Sequence, residues 1–324
     1  MSDQEMTAIA VEGGKGPAEA LKPARIPAPT PAEGEILIAV TAAGLNRADI
    51  AQRQGFYPPP PGAPSTLGME VAGTVAKGAG RWREGDQVCA LLGGGGYAEF
   101  VACDARHALP IPPGYDFVQA AGLPEAVITV YANVFEHGAL KAGETLMVHG
   151  ATSGIGVTAI QMAKAAGARV IATARGRDKA AEAGRLGADI VVDASAEDFE
   201  AVAKAHGGAD VILDMVAGAY FAKNLDALNT GGRLVHIAAL GGGTVELPIF
   251  KIMLKRVVVT GSTLRGRSAD EKARLAAEVE RVVWPWIASG KVKPVIDKVF
   301  PLAEAAAAHA YLDGDHVGKV VLAV

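Results

Sequence analysis

The sequence predicts an α/β protein in which a small irregular β-barrel is combined with a parallel sheet covered by helices on both faces. Three observations predict this architecture. Short apolar strands, broken by glycine and proline, fill the first third of the chain. Strands then alternate with helices from about residue 123 to residue 263, which is the order of βαβ crossovers in a parallel sheet. The last part of the chain returns to a helix, strand, helix, strand order.

Composition excludes several classes of protein. Half of the 324 residues are hydrophobic and a fifth are charged, the balance of a folded globular protein. A net charge of −4 argues against a nucleic-acid partner, and no apolar run reaches the roughly 18 residues that a membrane helix needs. Two cysteines, Cys89 and Cys103, are too few for a disulfide scaffold. Because Met1–Glu5 is polar and no apolar signal core follows it, we expect a cytoplasmic protein.

The first third contains three predicted strands, Ile36–Thr41, Glu70–Ala76 and Gln87–Leu92. Turn sequences precede the first and the third of them, Pro-Ala-Glu-Gly and Arg-Glu-Gly-Asp. The stretch Tyr57–Pro64 has four consecutive prolines and is predicted to be extended. A linker between domains is the alternative for this stretch.

The middle of the chain predicts a complete dinucleotide-binding fold with about six parallel strands. The strands are Thr145–His149, Arg169–Thr173, Ile190–Val192, Asp210–Asp214, Gly232–Ile237 and Val257–Thr260. The helices are Pro124–His137, Val157–Ala166, Lys179–Leu186 and Phe199–Ala205. The end of the chain predicts a long helix Ala269–Ser289, a strand Val299–Leu302, a helix Ala303–Asp313 and a strand Lys319–Leu322.

A glycine-rich turn follows the first of these six strands and opens a helix of small residues. Its residues are Gly150, Ala151, Thr152, Ser153, Gly154, Ile155 and Gly156. The free N–H groups of a helix N-terminus attract a pyrophosphate, and glycines let the phosphate approach the backbone closely. The spacing is G-x-x-x-G-x-G rather than G-x-G-x-x-G. A purely structural turn is the alternative, but the βαβ context favours dinucleotide binding.

The end of the second strand predicts NADPH rather than NADH. An NAD-preferring enzyme carries Asp or Glu there, about 20 residues after the glycines, to hold the ribose 2′-hydroxyl. This chain instead has Ala174 followed by Arg175, Arg177 and Lys179, which can neutralise a 2′-phosphate. Asp178 lies among them and weakens the pattern, and a solvated basic turn is the alternative.

Four segments now make a family resemblance visible. They are Ala43-Gly-Leu-Asn46-Arg-Ala-Asp49, Gly55-Phe-Tyr57-Pro-Pro-Pro-Pro-Gly62, Leu67-Gly-Met-Glu70-Val-Ala-Gly73, and Gly143-Glu-Thr-Leu continuing through Gly154-Ile-Gly156 to Gln161. With them, the chain from Thr7 to Val324 resembles the zinc-free, zeta-crystallin-like quinone oxidoreductases of the medium-chain dehydrogenase/reductase superfamily. The resemblance implies a GroES-like irregular β-barrel catalytic domain over residues 1–122 and 264–324. It implies a Rossmann cofactor-binding domain over residues 123–263.

The zinc alcohol dehydrogenases of the same superfamily differ from this chain in the residues at the positions that bind their metal. They carry a cysteine where this chain has Asn46, and Gly-His-Glu where it has Gly68-Met69-Glu70. Asparagine is a poor ligand for a soft metal, and methionine cannot replace the imidazole that catalytic zinc favours. We therefore expect no catalytic zinc. Alcohol oxidation would lack its Lewis acid, whereas reduction of an electron-poor acceptor remains feasible.

The resemblance implies that Asn46, Asp49 and Tyr57 lie near the nicotinamide and the substrate. Tyr57 can stack on a flat acceptor or donate to its oxygen, Asn46 can donate an amide N–H, and Asp49 can orient its neighbours. The structural alternatives are a cap on the proline loop for Tyr57, a turn residue for Asn46 and a helix N-terminal acid for Asp49. Further cofactor contacts are implied for Thr129, Ala239, Leu240, Gly241, Leu264, Arg265 and Lys319.

The predicted function is reduction of quinones by hydride or electron transfer from NADPH, without zinc. One alternative is an NADPH-dependent reductase of enoyl or alkenal double bonds, which needs a similar flat slot. A second is a non-catalytic, NADPH-binding structural or RNA-binding protein. The predicted edge strand Val257–Thr260 pairs across a two-fold axis in similar enzymes, so a homodimer is expected.

Overall fold

The computed structural model describes residues 5–324, which divide into two compact units. The first unit runs to Ile128 and resumes over Leu264–Ala288 and Pro294–Val324. The second unit comprises Thr129–Thr263 and Ser289–Lys293. The Met1–Gln4 segment, part of the stretch on which the expected location depends, lies outside the described residues.

The first unit is built mainly from β-strands. Its strands are β1 (Glu5–Val11), β2 (Leu21–Pro27), β3 (Glu35–Gly44), β4 (Glu70–Lys77), β5 (Gln87–Leu91), β6 (Phe100–Asp104), β7 (Ala108–Pro110), β14 (Ile296–Pro301) and β15 (Lys319–Ala323). Its helices are α1 (Arg47–Arg53), α2 (Phe117–Ala121), α9 (Ala269–Val282), α10 (Trp284–Ala288) and α11 (Ala305–Asp313). Helix α3 (Pro124–Val130) contains the boundary between the two units.

Strand β3 organises the barrel-like sheet of the first unit. It pairs with β4, β6 and β15, all antiparallel, in a sheet of order β14-β15-β3-β4-β5-β7. Ile36, Ile38 and Val40 are buried at every second position, as a strand with one face on a core requires. The C-terminal strand β15 therefore completes a sheet that begins about 280 residues earlier in the chain.

The second unit is a parallel sheet with connecting helices. Its strands are β8 (Thr145–His149), β9 (Arg169–Ala174), β10 (Ile190–Asp193), β11 (Ala209–Asp214), β12 (Leu228–His236) and β13 (Val258–Gly261). Its helices are α4 (Gly154–Ala165), α5 (Arg177–Arg185), α6 (Phe199–Ala205), α7 (Tyr220–Ala227) and α8 (Ile249–Lys255), and a π-helical segment Tyr131–His137 follows α3. The order β10-β9-β8-β11-β12-β13 is that of two joined mononucleotide-binding halves. The predicted dinucleotide-binding sheet is confirmed.

Strand β13 lies at one end of this sheet, which confirms the predicted edge strand. Val258 is 51% exposed on it. Of the helices within residues 5–324, none is both long and apolar enough to cross a membrane.

The prediction of one long helix over Ala269–Ser289 is wrong. Helix α9 ends at Val282 and α10 begins at Trp284. Pro285 has no N–H to continue the helical ladder, so the chain restarts a helix there. The predicted extended stretch Tyr57–Pro64 contains neither helix nor strand, and Ala63 N donates to Pro60 O in a turn.

Candidate active site and cofactor turn

A buried ion pair lies beside Asn46 in the first unit. The Lys319 ammonium is 2.5 Å from Glu70 Oε1 and donates to Asn46 Oδ1 at 2.7 Å and to Leu45 O at 2.8 Å. The Glu70 side chain is fully buried, and its Oε2 accepts from the N–H of Glu125 at the start of α3. These contacts use all three ammonium protons of Lys319 within the first unit. Its predicted contact with the cofactor stays a prediction.

The same ion pair fixes the Asn46 amide. Because Lys319 only donates and the Glu70 carboxylate only accepts, Oδ1 of Asn46 must face the lysine and Nδ2 the glutamate. Nδ2 donates to Glu70 Oε1 at 2.9 Å, and its second N–H has no partner among the described residues. Asn46 is half-buried, so this N–H can meet a ligand oxygen. The predicted donor is oriented for that role.

Asp49 orients the segment around Asn46. It lies in the first turn of α1 and is fully buried. Its Oδ2 accepts from Asn46 N at 2.8 Å, and its Oδ1 accepts from Gly68 N at 3.1 Å. Burial raises the pKa of Asp49 to about 6, although these N–H bonds oppose the shift. The carboxylate thus links α1 to the Gly68-Met69-Glu70 segment.

A chain of buried polar groups continues from Asp49. Arg53 Nη1 lies 3.3 Å from His309 Nδ1, His309 Nε2 lies 3.2 Å from Tyr97 Oη, and Tyr97 Oη lies 3.1 Å from Asp49 Oδ2. Arginine can only donate, so His309 accepts at Nδ1 and carries its proton on Nε2. Tyr97 then accepts from His309 and donates to Asp49. Burial and the neighbouring Arg53 lower the pKa of His309 to about 3, which keeps this imidazole neutral.

Tyr57 follows α1 and lies against Arg265. Its backbone N–H donates to Ala51 O at 3.2 Å, which ties the residue to the end of α1. Arg265 Nη1 donates to Tyr57 O at 3.4 Å, and the Arg265 guanidinium carbon is 5.6 Å from the Tyr57 ring centroid. The structure therefore places Asn46, Asp49, Tyr57 and Arg265 in one unit, together with the buried Leu264.

In the second unit, the predicted glycine turn connects β8 to α4. Ser153 is the N-cap of α4: its Oγ accepts from Gly156 N at 3.0 Å and donates to Gly150 O at 2.8 Å. A Cβ on Gly156 would lie 2.3 Å from Gly150 O, and Gly150 has φ +66°. The N–H groups of Gly154 and Ile155 come ahead of the first intrahelical bond. Ala151 and Thr152 are buried beneath this turn, which can hold a pyrophosphate.

The basic turn after β9 is open to solvent. Strand β9 ends at Ala174, and Arg175 and Arg177 are both exposed, with Lys179 half-buried behind them. The carboxylate of Asp193, at the end of β10, accepts from Gly176 N at 2.8 Å. Hydrogen bonds from Ser195 and Gly176 lower the pKa of Asp193, so it stays ionised beside the turn. Sequence reasoning missed Asp193 because it lies on the neighbouring strand.

The loops after the parallel strands β11 and β12 lie at the carboxyl ends of these strands and are joined by hydrogen bonds. Leu240 N donates to Met215 O, and Gly241 N donates to Val216 O. Asp214 Oδ1 accepts from Val216 N, and it holds the following Ala217 at φ +55° through a second bond. The predicted Ala239–Gly241 contact segment is thereby fixed in place. Thr129 is buried on α3 at the start of the second unit.

Several residues of the candidate site had no signal in the sequence. Tyr97 and His309 are separated by more than 200 residues and have no motif around them. Glu70 belongs to a quoted segment, but its role in fixing Asn46 depends on Lys319 from the last strand. Within residues 5–324, no group of three or more His, Cys, Asp or Glu side chains is arranged to hold a metal ion.

The chain is similar to known protein families and to known proteins over most of its length. A family model for the alcohol dehydrogenase GroES-like domain matches residues 32–113, and one described as zinc-binding dehydrogenase matches residues 154–281. Quinone oxidoreductase of Rattus norvegicus is 31% identical over 303 residues, which cover 91% of this chain and 90% of the rat protein. A mycocerosic acid synthase-like polyketide synthase of Mycobacterium tuberculosis is 33% identical over 305 residues, 91% of this chain but 14% of that protein.

The crystal structure of Escherichia coli quinone oxidoreductase complexed with NADPH has a TM-score of 0.88 with this chain, at 29% identity. The match covers 98% of this chain and 100% of that one. The predicted family and the predicted pairing of a GroES-like domain with a Rossmann domain are confirmed. This chain belongs to the medium-chain dehydrogenase/reductase superfamily of oxidoreductases, as one of its quinone-oxidoreductase-like members.

Proposed function

We propose that the protein reduces quinones with NADPH, in the balanced conversion quinone + NADPH + H⁺ → hydroquinone + NADP⁺. The observation that carries this proposal is the Asn46 amide, which Glu70 and Lys319 hold with one N–H left to donate. Bound NADPH supplies the hydride. As negative charge develops on the acceptor oxygen, a donor fixed in advance stabilises it without having to reorganise. The Tyr57 ring, in the same unit, offers an apolar face for a flat acceptor.

The second unit supplies the residues that would hold NADPH. The glycine turn leaves no room for a Cβ at Gly156 and presents the N-terminus of α4. Arg175 and Arg177 are exposed next to the end of β9, where a 2′-phosphate is expected to lie. The complex of the E. coli relative with NADPH supports the same cofactor.

We propose that the reaction needs no zinc. At the two positions where zinc enzymes of the superfamily carry cysteine and histidine, this chain has the Asn46 amide and the buried Met69. The Lys319 ammonium lies 2.7 Å from Asn46 Oδ1, and two positive ions do not share such a site. These residues do not fit a zinc ion.

The acceptor is tested by NADPH oxidation with 1,2-naphthoquinone, 1,4-benzoquinone and a short 2-alkenal. We expect turnover with the quinones. Tyr57→Ala should lower kcat/KM for them about 10-fold, whereas Tyr57→Phe should retain most of it because the ring face remains. Tyr115→Phe, a half-buried tyrosine elsewhere in the first unit, is the control. Unchanged kinetics in Tyr57→Ala would remove Tyr57 from the acceptor site.

A reductase of conjugated double bonds is the second candidate. The match to part of a mycocerosic acid synthase-like polyketide synthase favours testing it. Such an acceptor needs the same donor to its carbonyl oxygen. Turnover with the 2-alkenal alone would assign this reaction instead, and NADPH binding without turnover of any acceptor would favour the non-catalytic alternative.

We also propose a homodimer that pairs through β13. Val258 is 51% exposed on this edge strand, and the adjacent helix α8 exposes Phe250, Met253 and Leu254 by 72%, 65% and 67%. Apolar edge strands are normally covered in native proteins. Light scattering after size exclusion should give a dimer that Val258→Lys converts to a monomer. Val191→Lys, on the opposite edge strand β10, should remain dimeric. A monomeric wild-type protein at micromolar concentration would contradict the proposal.

A further inference from the structure

The first unit contains an open cavity of about 890 Å³ that the proposed reaction leaves unused. All of its lining residues belong to the first unit. The proline loop forms one wall with Pro60 and Pro64, and the Gly93-Gly94 segment forms another. Arg265, which precedes α9 in the chain, and Lys272, in the first turn of α9, also line the cavity. Its volume is within the range of small-molecule sites.

Lys272 is a buried cation without a partner. Its side chain lines the cavity, the residue is only 8% exposed, and its ammonium has no hydrogen bond or ion pair within residues 5–324. It also lies in the first turn of the 14-residue helix α9, where the helix dipole disfavours positive charge. Burial lowers the pKa of Lys272, and the charge of Glu125 opposes this shift without cancelling it.

Arg265 is a second buried cation on the same cavity. It is 3% exposed, its Nε donates to Gly93 O at 2.7 Å, and its Nη2 has no partner among the described residues. Burial lowers the pKa of Arg265 as well. Since the same guanidinium lies over the Tyr57 ring, the cavity begins next to the residue proposed to contact the acceptor.

Three carboxylates line the cavity, those of Glu33, Glu35 and Asp104. Asp104 accepts from Arg106 at 2.7 Å, Glu35 accepts from Ala32 N at 2.8 Å, and Glu33 is exposed to solvent. His107 lies with Nε2 2.9 Å from Ala269 O, so it donates there and stays neutral, its pKa lowered by burial. A helix N-terminus and two buried, incompletely paired cations thus face one space.

We propose that this cavity binds an anionic group, a carboxylate or a phosphate, carried by the acceptor. The assignment rests on the proposed function, in that Tyr57 contacts the reducible ring while Lys272 and Arg265 hold its charged substituent. An anion would satisfy the Lys272 ammonium and match the dipole of α9. Natural acceptors of this enzyme are therefore quinones or enones bearing a negatively charged side chain.

The experiment compares a naphthoquinone that carries a short carboxyalkyl chain with its methyl ester, in wild-type protein, Lys272→Met and Lys22→Met. Lys22 is an exposed lysine of the first unit outside the cavity and serves as the matched control. We expect the wild-type KM for the acid to be about 10-fold below that for the ester, a typical gain for one charge-assisted contact. Lys272→Met should abolish this preference and leave the KM values for the ester and for NADPH unchanged.

Equal KM values for acid and ester in the wild type would overturn the proposal. So would a Lys272→Met variant that keeps the preference, or one that raises the KM for NADPH instead, since the cavity would then serve a phosphate of the cofactor. Calorimetric titration of the acid into protein without NADPH separates this proposal from the proposed function. If no quinone is reduced but the wild type still binds the acid, and Lys272→Met does not, the cavity is an anion site although the reductase assignment fails. Absence of binding in both assays overturns the anion site.

Discussion

At the scale of single residues, the candidate site depends on buried charges that hold one another in place. Glu70 is fully buried and Lys319 is 5% exposed, so each needs the other to offset its desolvation. Their pairing also orients Asn46, which belongs to neither strand. A change in the pair should therefore affect both stability and turnover.

Replacing Lys319 tests this dependence. Lys319→Met leaves the Glu70 carboxylate buried without its counter-charge, and we expect the free energy of unfolding to fall by about 3–5 kcal/mol. Chemical denaturation measures the loss. Lys204→Met removes an exposed partner of Glu200 and should change stability by less than about 1 kcal/mol. The double variant Glu70→Gln/Lys319→Met should regain part of the stability; a single variant as stable as the wild type would contradict the pairing.

The raised pKa of Asp49 predicts that activity falls at acidic pH. The Asp49 pKa of about 6 lies above the ordinary aspartate value of 3.8, so between these values the folded protein holds a proton that the unfolded chain has released. The stabilising contribution of that proton is complete below pH 4 and is lost as the pH rises through 6. Protonation, however, removes an acceptor for Asn46 N and Tyr97 Oη.

We therefore expect kcat/KM with benzoquinone to fall below pH 6, and Asp49→Asn to have lower activity without that inflection. A pH profile from 4.5 to 8 measures both, with stability recorded at each pH as the control. A wild-type profile that stays flat down to pH 5 would exclude Asp49 from positioning the donor.

At the scale of secondary-structure elements, the glycine turn between β8 and α4 is a tightly constrained segment of the second unit. A Cβ on Gly156 would lie 2.3 Å from Gly150 O and 2.6 Å from the carbonyl carbon of Ala151. Gly156→Ala must therefore displace the turn, and we expect the Kd for NADPH to rise at least about 10-fold. Gly184→Ala on α5 is the control, since its Cβ would meet Val191 at an ordinary 3.5 Å and should stabilise that helix slightly. Unchanged NADPH affinity in Gly156→Ala would contradict the pyrophosphate site.

The elements themselves were predicted unevenly, and the reasons are physical. The six strands of the second unit were predictable because short apolar runs alternate with helical periods. Helix α1 was not predicted as an element, although a helix N-terminal acid was one of the alternatives given for Asp49. The helix over Ala269–Ser289 was predicted as one piece because the apolar pattern continues across Pro285, although the backbone ladder cannot.

The candidate site was predictable only where a local motif exists. Asn46, Asp49 and Tyr57 were predicted from the family resemblance of short segments. The glycine turn was predicted from its glycines between a strand and a helix. Tyr97, His309 and Lys272 reach their positions through tertiary packing, which no spacing in the sequence records. Their roles follow from burial and partners, both of which are properties of the fold.

At the scale of the whole molecule, the chain forms two units that are each interrupted in sequence. Strands β14 and β15 follow the second unit in the chain but belong to the sheet of β3. Lys319, on β15, therefore contacts Asn46 although the two residues are far apart in sequence. This long-range closure was implied by the family resemblance and not by composition or periodicity. The residues proposed to bind the acceptor lie in the first unit, and the glycine turn proposed to bind NADPH lies in the second.

The most direct test of that reaction is the initial rate of absorbance loss at ~340 nm with 1,2-naphthoquinone, NADPH or NADH, and protein treated with a chelator. We predict rapid oxidation of NADPH, a rate with NADH that is at least about 10-fold lower because the basic turn at Arg175 and Arg177 has no 2′-phosphate to bind, and no effect of the chelator. Equal rates with the two cofactors would contradict the assignment of NADPH. Loss of activity on chelation, restored by zinc, would contradict the metal-free mechanism.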